Sequence, residues 1–379
     1  MEYIVIDSGP KFAEFIAAAS KGRYISVDTE SNSLYEYREK LCLLQISIEN
    51  INAIVDPLAV DVSLMAVLFE NQNMEKIFHS AESDIRLIRT RCKCSFRNIF
   101  DVMIAAKYLG IKKCGLDNLV EEFAGVKLNK RYQKGNWGKR PLPAEMLEYA
   151  AMDSAYLKKI RDIFYGRLRE KGLEDIRETF REIETVEPQE KRFYENGFWR
   201  LQRNFRLSPG SLAVLKELYC AREKRAEELN LPPFKILGDE VLLKLSLNPA
   251  ESLKNPRNFK GITNHVLNMH GTWLVETIRR GMTRPDVGIR QNEISPEKKA
   301  FFEEVKKRLG ILKKWRSETA KRRNLPSEII INADILERIA FSNPSDEKEL
   351  KSIKHFGEDK IKRYGKEIIE ALKTCKNPL

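Results

Sequence analysis

The chain has 379 residues, of which 42% are hydrophobic and 32% charged, and a formal net charge of +12. That length exceeds one ordinary hydrophobic core and predicts two or three compact units, while the apolar content excludes wholesale disorder. The amino end, MEYIVI, lacks a basic segment leading into a long apolar one, and no stretch approaches the roughly 18 apolar residues of a membrane span, so a cytoplasmic protein with no membrane partner is expected.

Taken in chain order, the first 110 residues alternate short β-rich runs with helical patterns. Strands are predicted near Tyr3 to Ile6, Tyr24 to Asp28, Leu41 to Ile48, Ala53 to Asp56 and Lys76 to Phe78, and helices over about 10–20, 61–70, 82–92 and 101–109. The links between the second, third and fourth strands show no helical period, so the sheet is expected to be mixed, with antiparallel hairpins beside parallel crossovers. From Gly115 the pattern is helical; a basic stretch over 127–143 reads as a loop, and one long helix is expected over 143–171. Six scattered cysteines (Cys42, Cys92, Cys94, Cys114, Cys220, Cys375) complete no zinc spacing and are expected as reduced thiols.

The second half carries an internal repeat. Asn230-Leu231-Pro232, Ile236 to Leu242 and Asn248-Pro249 recur as Asn324-Leu325-Pro326, Ile330 to Leu336 and Asn343-Pro344. Each copy starts with a charged helix and later holds Phe259-Lys260-Gly261 or His355-Phe356-Gly357, and a polar link over 281–296 separates them. Two related helical units follow, giving expected boundaries of 1–203, 208–283 and 295–376. Residues 1–200 hold 31 basic against 31 acidic side chains, and residues 201–379 hold 36 against 24. The excess charge therefore belongs to the repeats, as in a polyanion-binding appendage.

Three segments of the first half place acids against apolar surroundings. In Val27-Asp28-Thr29-Glu30, at the end of a strand, the period of two puts both carboxylates on one face. In Phe78-His79-Ser80-Ala81-Glu82-Ser83-Asp84 a strand turns into a helix whose first turn holds Asp84, and in Tyr149-Ala150-Ala151-Met152-Asp153 an i, i+4 spacing points phenol and carboxylate the same way. Singly, each has a plainer reading: a solvated loop start, a helix-capping acid, a half-buried helix face. Together they make the donor set that phosphodiester hydrolysis needs, because hard cations take oxygen ligands and a pair of Mg²⁺ or Mn²⁺ ions can hold both the attacking and the leaving oxygen.

This order of Asp, Glu, Asp and Asp, with tyrosine in the third segment, resembles the DEDD exonuclease superfamily, tyrosine subclass, and within it the ribonuclease D family. Leu41 to Ser47, Gly115-Leu116-Asp117-Asn118-Leu119 and Asn136-Trp137-Gly138-Lys139-Arg140-Pro141-Leu142 extend the match, with one departure: Asn136 stands where the family has aspartate. The repeats resemble the helicase-and-RNase-D C-terminal domain, a nucleic-acid-binding module. The resemblance implies an α/β ribonuclease H-like exonuclease domain followed by two all-α domains, and 3′-to-5′ release of 5′-mononucleotides from RNA with a single-stranded 3′ end, such as tRNA precursors. By the same resemblance Asp28, Glu30, Asp84 and Asp153 hold two ions, Mg²⁺ or Mn²⁺, and Tyr149 orients the water. The expected assembly is a monomer.

Four further residues are candidate substrate contacts: Gln45, a polar residue on an apolar strand; His79, beside the second segment and equally a positioning residue; and Trp137 and Arg140 in the basic loop, which fit a base and a phosphate or an anchor to the core. On the leading helices of the repeats, Arg222, Lys224 and Arg225, then Lys313, Lys314, Arg316 and Lys321 to Arg323, fit phosphate contacts. Two other functions share these features: a DNA exonuclease, since no residue reports the 2′-hydroxyl, and a catalytically silent nucleic-acid scaffold, against which all four acids are present.

Overall fold

The computed structural model describes residues 2–49, 51–173, 176–188, 193–202, 207–284, 296–354 and 356–374. The expected boundaries at 203, 295 and 376, most of the polar link (285–295) and His355 lie outside the described residues.

Six strands form one sheet: β1 (Ile4–Ile6), β2 (Tyr24–Ser31), β3 (Leu41–Ile48), β4 (Ile51–Val55), β5 (Glu75–Phe78) and β6 (Ile99–Asp101), in the order β1-β4-β3-β2-β5-β6. β2, β3 and β4 are antiparallel neighbours, whereas β1 on β4, β5 on β2 and β6 on β5 are parallel. This is the expected mixed sheet. β3 is buried at every position, which explains why its sequence runs apolar without alternating.

The helices of this half are α1 (Gly9–Ala19), α2 (Ala66–Phe69), α3 (Ala81–Arg89), α4 (Val102–Tyr108), α5 (Leu116–Ala124), α6 (Ala144–Ala155), α7 (Leu157–Glu170) and α8 (Ile176–Glu184). Two expectations need correction. The single helix over 143–171 is two, broken at Tyr156 (φ −99°, ψ −7°), because α6 packs on β2, β3 and β4 whereas α7 packs on α4, α5 and β5. One straight rod cannot serve both surfaces. β6 was not expected, since three residues are too few to display an alternating pattern.

The helical half contains α9 (Trp199–Gln202), α10 (Pro209–Glu228), α11 (Pro233–Ile236), α12 (Asp239–Leu247), α13 (Pro249–Lys254) and α14 (Asn264–Thr283), then α15 (Pro296–Arg323), α16 (Ser327–Ile330), α17 (Ala333–Ser342), α18 (Glu347–Lys351) and α19 (Glu358–Lys373). The repeat seen in the sequence is a repeat of structure. Asn230 and Asn324 both take the left-handed conformation (φ 49° and 53°), and Arg222 and Arg316 donate to the equivalent carbonyls of Leu237 (2.7 Å) and Ile331 (2.9 Å). Arg222 is 3% exposed and also pairs with Asp239 at 2.7 Å. These two arginines therefore hold their own modules together and are withdrawn from the set of phosphate contacts. Among the described residues no helix is long and apolar enough to cross a membrane.

The chain divides into two compact units along lines that cut across the sequence order. One unit comprises 1–31, 41–189 and 297–379; the other comprises 32–40 and 190–296. Within the first, the second helical repeat shares a core with the exonuclease half: Leu312, Ile335 and Ile361 belong to the same apolar cluster as Phe100, Leu119 and Phe164. Ion pairs Lys107–Glu328 (3.0 Å) and Lys360–Glu182 (2.9 Å) rim this junction, and a side chain at Gly357 would collide with the Glu178 carboxylate. Within the second, the nine-residue segment after β2 lies on the first repeat through Tyr37 Oη to Glu223 (2.8 Å), Arg38 to Glu227 (3.0 Å) and Asn230 to Glu36 (3.2 Å).

Candidate active site

Asp28 lies opposite Gln45 in the β2–β3 register and Glu30 opposite Leu43, so both acids share the face that α6 covers. Parallel pairing of β5 with β2 brings the start of α3 alongside, and with it Asp84, 7% exposed. Asp153, 9% exposed, and Tyr149 descend from α6 one turn apart. Among the described residues no three His, Cys, Asp or Glu side chains stand close enough together to hold a metal ion as they are placed.

The four acids nonetheless sense one another strongly. Burial, and then the charges of Asp28, Asp153 and Asp84, push Glu30 up to about 10. Burial raises Asp28 to about 7, and burial with the Asp28 charge raises both Asp84 and Asp153 well above the carboxylate range. The Tyr149 phenol is raised by burial and by Asp153, Glu30 and Asp28. Among the described residues no guanidinium or ammonium compensates these carboxylates, and acids crowded in a poorly solvated site without one are short of positive charge. An all-oxygen donor set in that condition fits hard divalent cations.

Two positioning residues escaped the sequence reading. Thr29 Oγ1 donates to Asp84 Oδ1 at 2.5 Å. Asp101, 1% exposed, accepts from the backbone amides of Ser80 (3.2 Å), Ala81 (2.8 Å), Met103 (2.9 Å) and Ile104 (3.1 Å), so one carboxylate fixes the first turns of α3 and α4 together. The signal for Asp101 was an acid between a strand end and a helix start; nothing local marked Thr29. Ser80, just before α3, is held left-handed (φ 65°), a conformation non-glycine residues seldom adopt away from special sites.

The four candidate substrate contacts stand differently. Gln45 is fully buried, and among the described residues neither its amide oxygen nor its nitrogen has a partner. His79 Nε2 lies 2.8 Å from the Cys114 carbonyl, which can only accept, so Nε2 carries a proton and the ring is tied to the segment before α5. Trp137 is 1% exposed and packs in a cluster with Cys42, Leu43 and Ala150, its ring 6.0 Å from that of Tyr149. Arg140 forks onto Asp56 (2.6 and 2.7 Å) and reaches the Cys42 carbonyl (2.8 Å). In this arrangement Trp137 and Arg140 anchor the basic loop to the sheet. Asn136, at the departure from the family pattern, accepts from the Gly138 amide at 3.2 Å.

A cleft of about 290 Å³ opens beside the acids, lined by Tyr149, Asp153, Met152, Tyr132, Glu145 and Arg131 among others. The guanidinium at this cleft is that of Arg131, which lies over the Tyr132 ring (5.4 Å).

Comparison with known proteins places the family and the fold. A family profile described as 3′-5′ exonuclease matches residues 3–169, and one described as HRDC domain matches 211–278 and 305–372. The chain is 31% identical to Ribonuclease D of Sphingobium indicum over 266 residues, 68% of each chain, and 27% identical to Ribonuclease D of Nitrobacter hamburgensis over 349 residues, 90% of this chain and 89% of that one. Its fold matches the crystal structure of Escherichia coli RNase D, described as an exoribonuclease involved in structured RNA processing, with a TM-score of 0.68 at 21% identity over the whole of both chains.

Proposed function

The chain belongs to the ribonuclease D family, a metal-dependent 3′-to-5′ exoribonuclease lineage, and from that premise we propose how its own residues act. The single observation that carries the reading is the convergence of Asp28, Glu30, Asp84 and Asp153: burial raises all four, and the Asp28 charge raises the other three further.

Asp28, Glu30, Asp84 and Asp153 would hold two divalent ions, Mg²⁺ or Mn²⁺, which would supply an activated water and stabilise charge on the leaving 3′ oxygen. Glu30 and Asp28, two residues apart on one strand, fix the spacing of the ligands; Asp84 and Asp153 close the site from separate helices. The Tyr149 phenol, kept protonated at neutral pH by burial and then by its acidic neighbours, hydrogen-bonds the attacking water and orients it at the phosphorus. Gln45, buried beside Asp28 with its amide unpaired, reads the terminal nucleotide, and Arg131 in the cleft meets the next phosphate. The product is a 5′-mononucleotide at each step.

The substrate we assign is RNA with a single-stranded 3′ end, tRNA precursors foremost, handled by a monomer in the cytoplasm. The modules at 1–203, 208–283 and 295–376 divide the work into cleavage and RNA retention. A time course on 5′-labelled single-stranded RNA and matched DNA, with Mg²⁺, Mn²⁺ or EDTA, tests this for wild type, Asp28→Asn and Tyr149→Phe. Metal-dependent shortening of RNA by single nucleotides, lost in Asp28→Asn, is the expected result. Equal or faster degradation of DNA overturns the ribonuclease assignment; binding of both polymers without cutting makes the chain a scaffold.

A further inference from the structure

A second cavity of the first compact unit, about 640 Å³, lies at the other end of the sheet from the acids, where β5 and β6 begin. In the β2–β5 register Glu75, on its wall, pairs with Tyr24, four and six residues before Asp28 and Glu30. At the rise of an extended strand this places the wall roughly 13 Å from Asp28 and about 20 Å from Glu30 along β2.

Its floor is apolar, with Phe100 and Phe180 in tilted contact (5.1 Å between centroids), and α7 contributes Leu168. The two acids of its wall are turned inward. Glu75 accepts from Arg161 Nη2 at 2.8 Å, and Arg161 itself lies over the rings of Phe100 and Tyr165; Glu184 accepts from the Ile99 amide at 3.3 Å.

The rim is different. Arg97 before β6, Arg169 at the end of α7, and Arg177 and Arg181 on α8 are exposed, and among the described residues their side chains have no ion-pair or hydrogen-bond partner. The spacing on α8 separates two tasks: Arg177, Arg181 and Glu184 (i, i+4, i+7) face the cavity, whereas Glu178 and Glu182 face α19, where Lys360 binds both. Structural need thus accounts for the acids of α8 and leaves its arginines unaccounted for. Four like charges around one concavity repel one another until an anion enters. All four are arginine, whose planar fork binds phosphate bidentately.

We infer that this cavity is a second phosphate-binding site, gripping the backbone of the RNA substrate several nucleotides upstream of the 3′ end held at the metal-binding acids. The RNA identity rests on the ribonuclease reading; the anion chemistry does not. Upstream grip of this kind favours long or structured RNA over short oligonucleotides and leaves the cleavage step unchanged.

The test compares wild type with Arg97→Ala/Arg177→Ala/Arg181→Ala and with the corresponding triple lysine variant. Binding to a 3′-tailed RNA hairpin is read by fluorescence anisotropy in EDTA from 50 to 200 mM KCl, and turnover of a tetranucleotide is measured with Mg²⁺. The alanine variant should bind the hairpin about tenfold or more weakly at low salt, with the slope of log K against log salt shallower by about two to three, near one per lost phosphate contact. Its tetranucleotide kcat/KM should match wild type, and the lysine variant should keep most of the slope. Unchanged affinity and slope overturn the proposal, as does an equal loss on the tetranucleotide. Loss of 5′-AMP binding with the RNA slope intact overturns it too, by making the cavity a mononucleotide site. A wild type that binds the hairpin with the expected slope but cuts nothing sinks the enzyme reading and leaves this one standing.

Discussion

Thr29 Oγ1 donates to Asp84 Oδ1 at 2.5 Å, tying the helix that carries the third acid to the strand that carries the first two. The bond fixes the carboxylate's orientation before any ion arrives. Thr29→Val keeps the shape and β-branching and removes the donor, so the strand should persist while the Mg²⁺ dependence of activity shifts to roughly 10–100-fold higher concentration. Titration of activity against Mg²⁺ measures this, and an unshifted curve would make the bond incidental.

The four acids should make the metal-free protein lose stability as pH rises. Folded-state values of about 7 for Asp28 and about 10 for Glu30 lie above the ordinary carboxylate values of 3.8 and 4.5. The folded state therefore binds more protons than the unfolded one from about pH 4 upward, and stability falls through that window as protons are stripped. Calorimetry in EDTA should show this decline, Mg²⁺ or Mn²⁺ should reverse it at neutral pH, and Asp84→Asn should raise the metal-free Tm while abolishing the metal response.

Tyr149 is packed against Trp137 and Tyr132 by its ring, so Tyr149→Phe should keep its place and lose only the hydroxyl. The expected loss is about 10²-fold or more in kcat, with KM and the metal-induced rise in Tm close to wild type. Single-turnover kinetics separates this from a binding defect.

Asp101 serves two helix starts at once, so Asp101→Ala strips partners from four amides, one buried and three partly buried. Destabilisation of about 2–4 kcal/mol is expected, above the usual cost of one lost cap. Because α3 carries Asp84, the variant should also lose activity at temperatures where it is still folded. Denaturant unfolding beside activity at 15 °C checks both.

Gln45 has a buried amide without a partner, which costs about 1–3 kcal/mol. Gln45→Leu should therefore leave Tm equal or higher, while raising KM for RNA several-fold with little change in kcat. A variant with unaltered KM would return Gln45 to the core.

Much of this protein is written in contiguous residues. The period of two places Asp28 and Glu30 on one face, one helical turn aligns Tyr149 with Asp153, and an offset of 94 residues equates Arg222 with Arg316, because strand and helix periods and duplications are properties of neighbouring positions. Tertiary structure alone decided the rest. The Thr29–Asp84 bond spans 55 residues, and Asp101 reaches back 20 to seat α3; Arg140, 84 residues from Asp56, is claimed by it as an anchor. The break at Tyr156 and the docking of the second repeat into the core of Phe100 and Phe164 have the same cause. Each depends on which surfaces meet once distant segments fold together, and no local period records that.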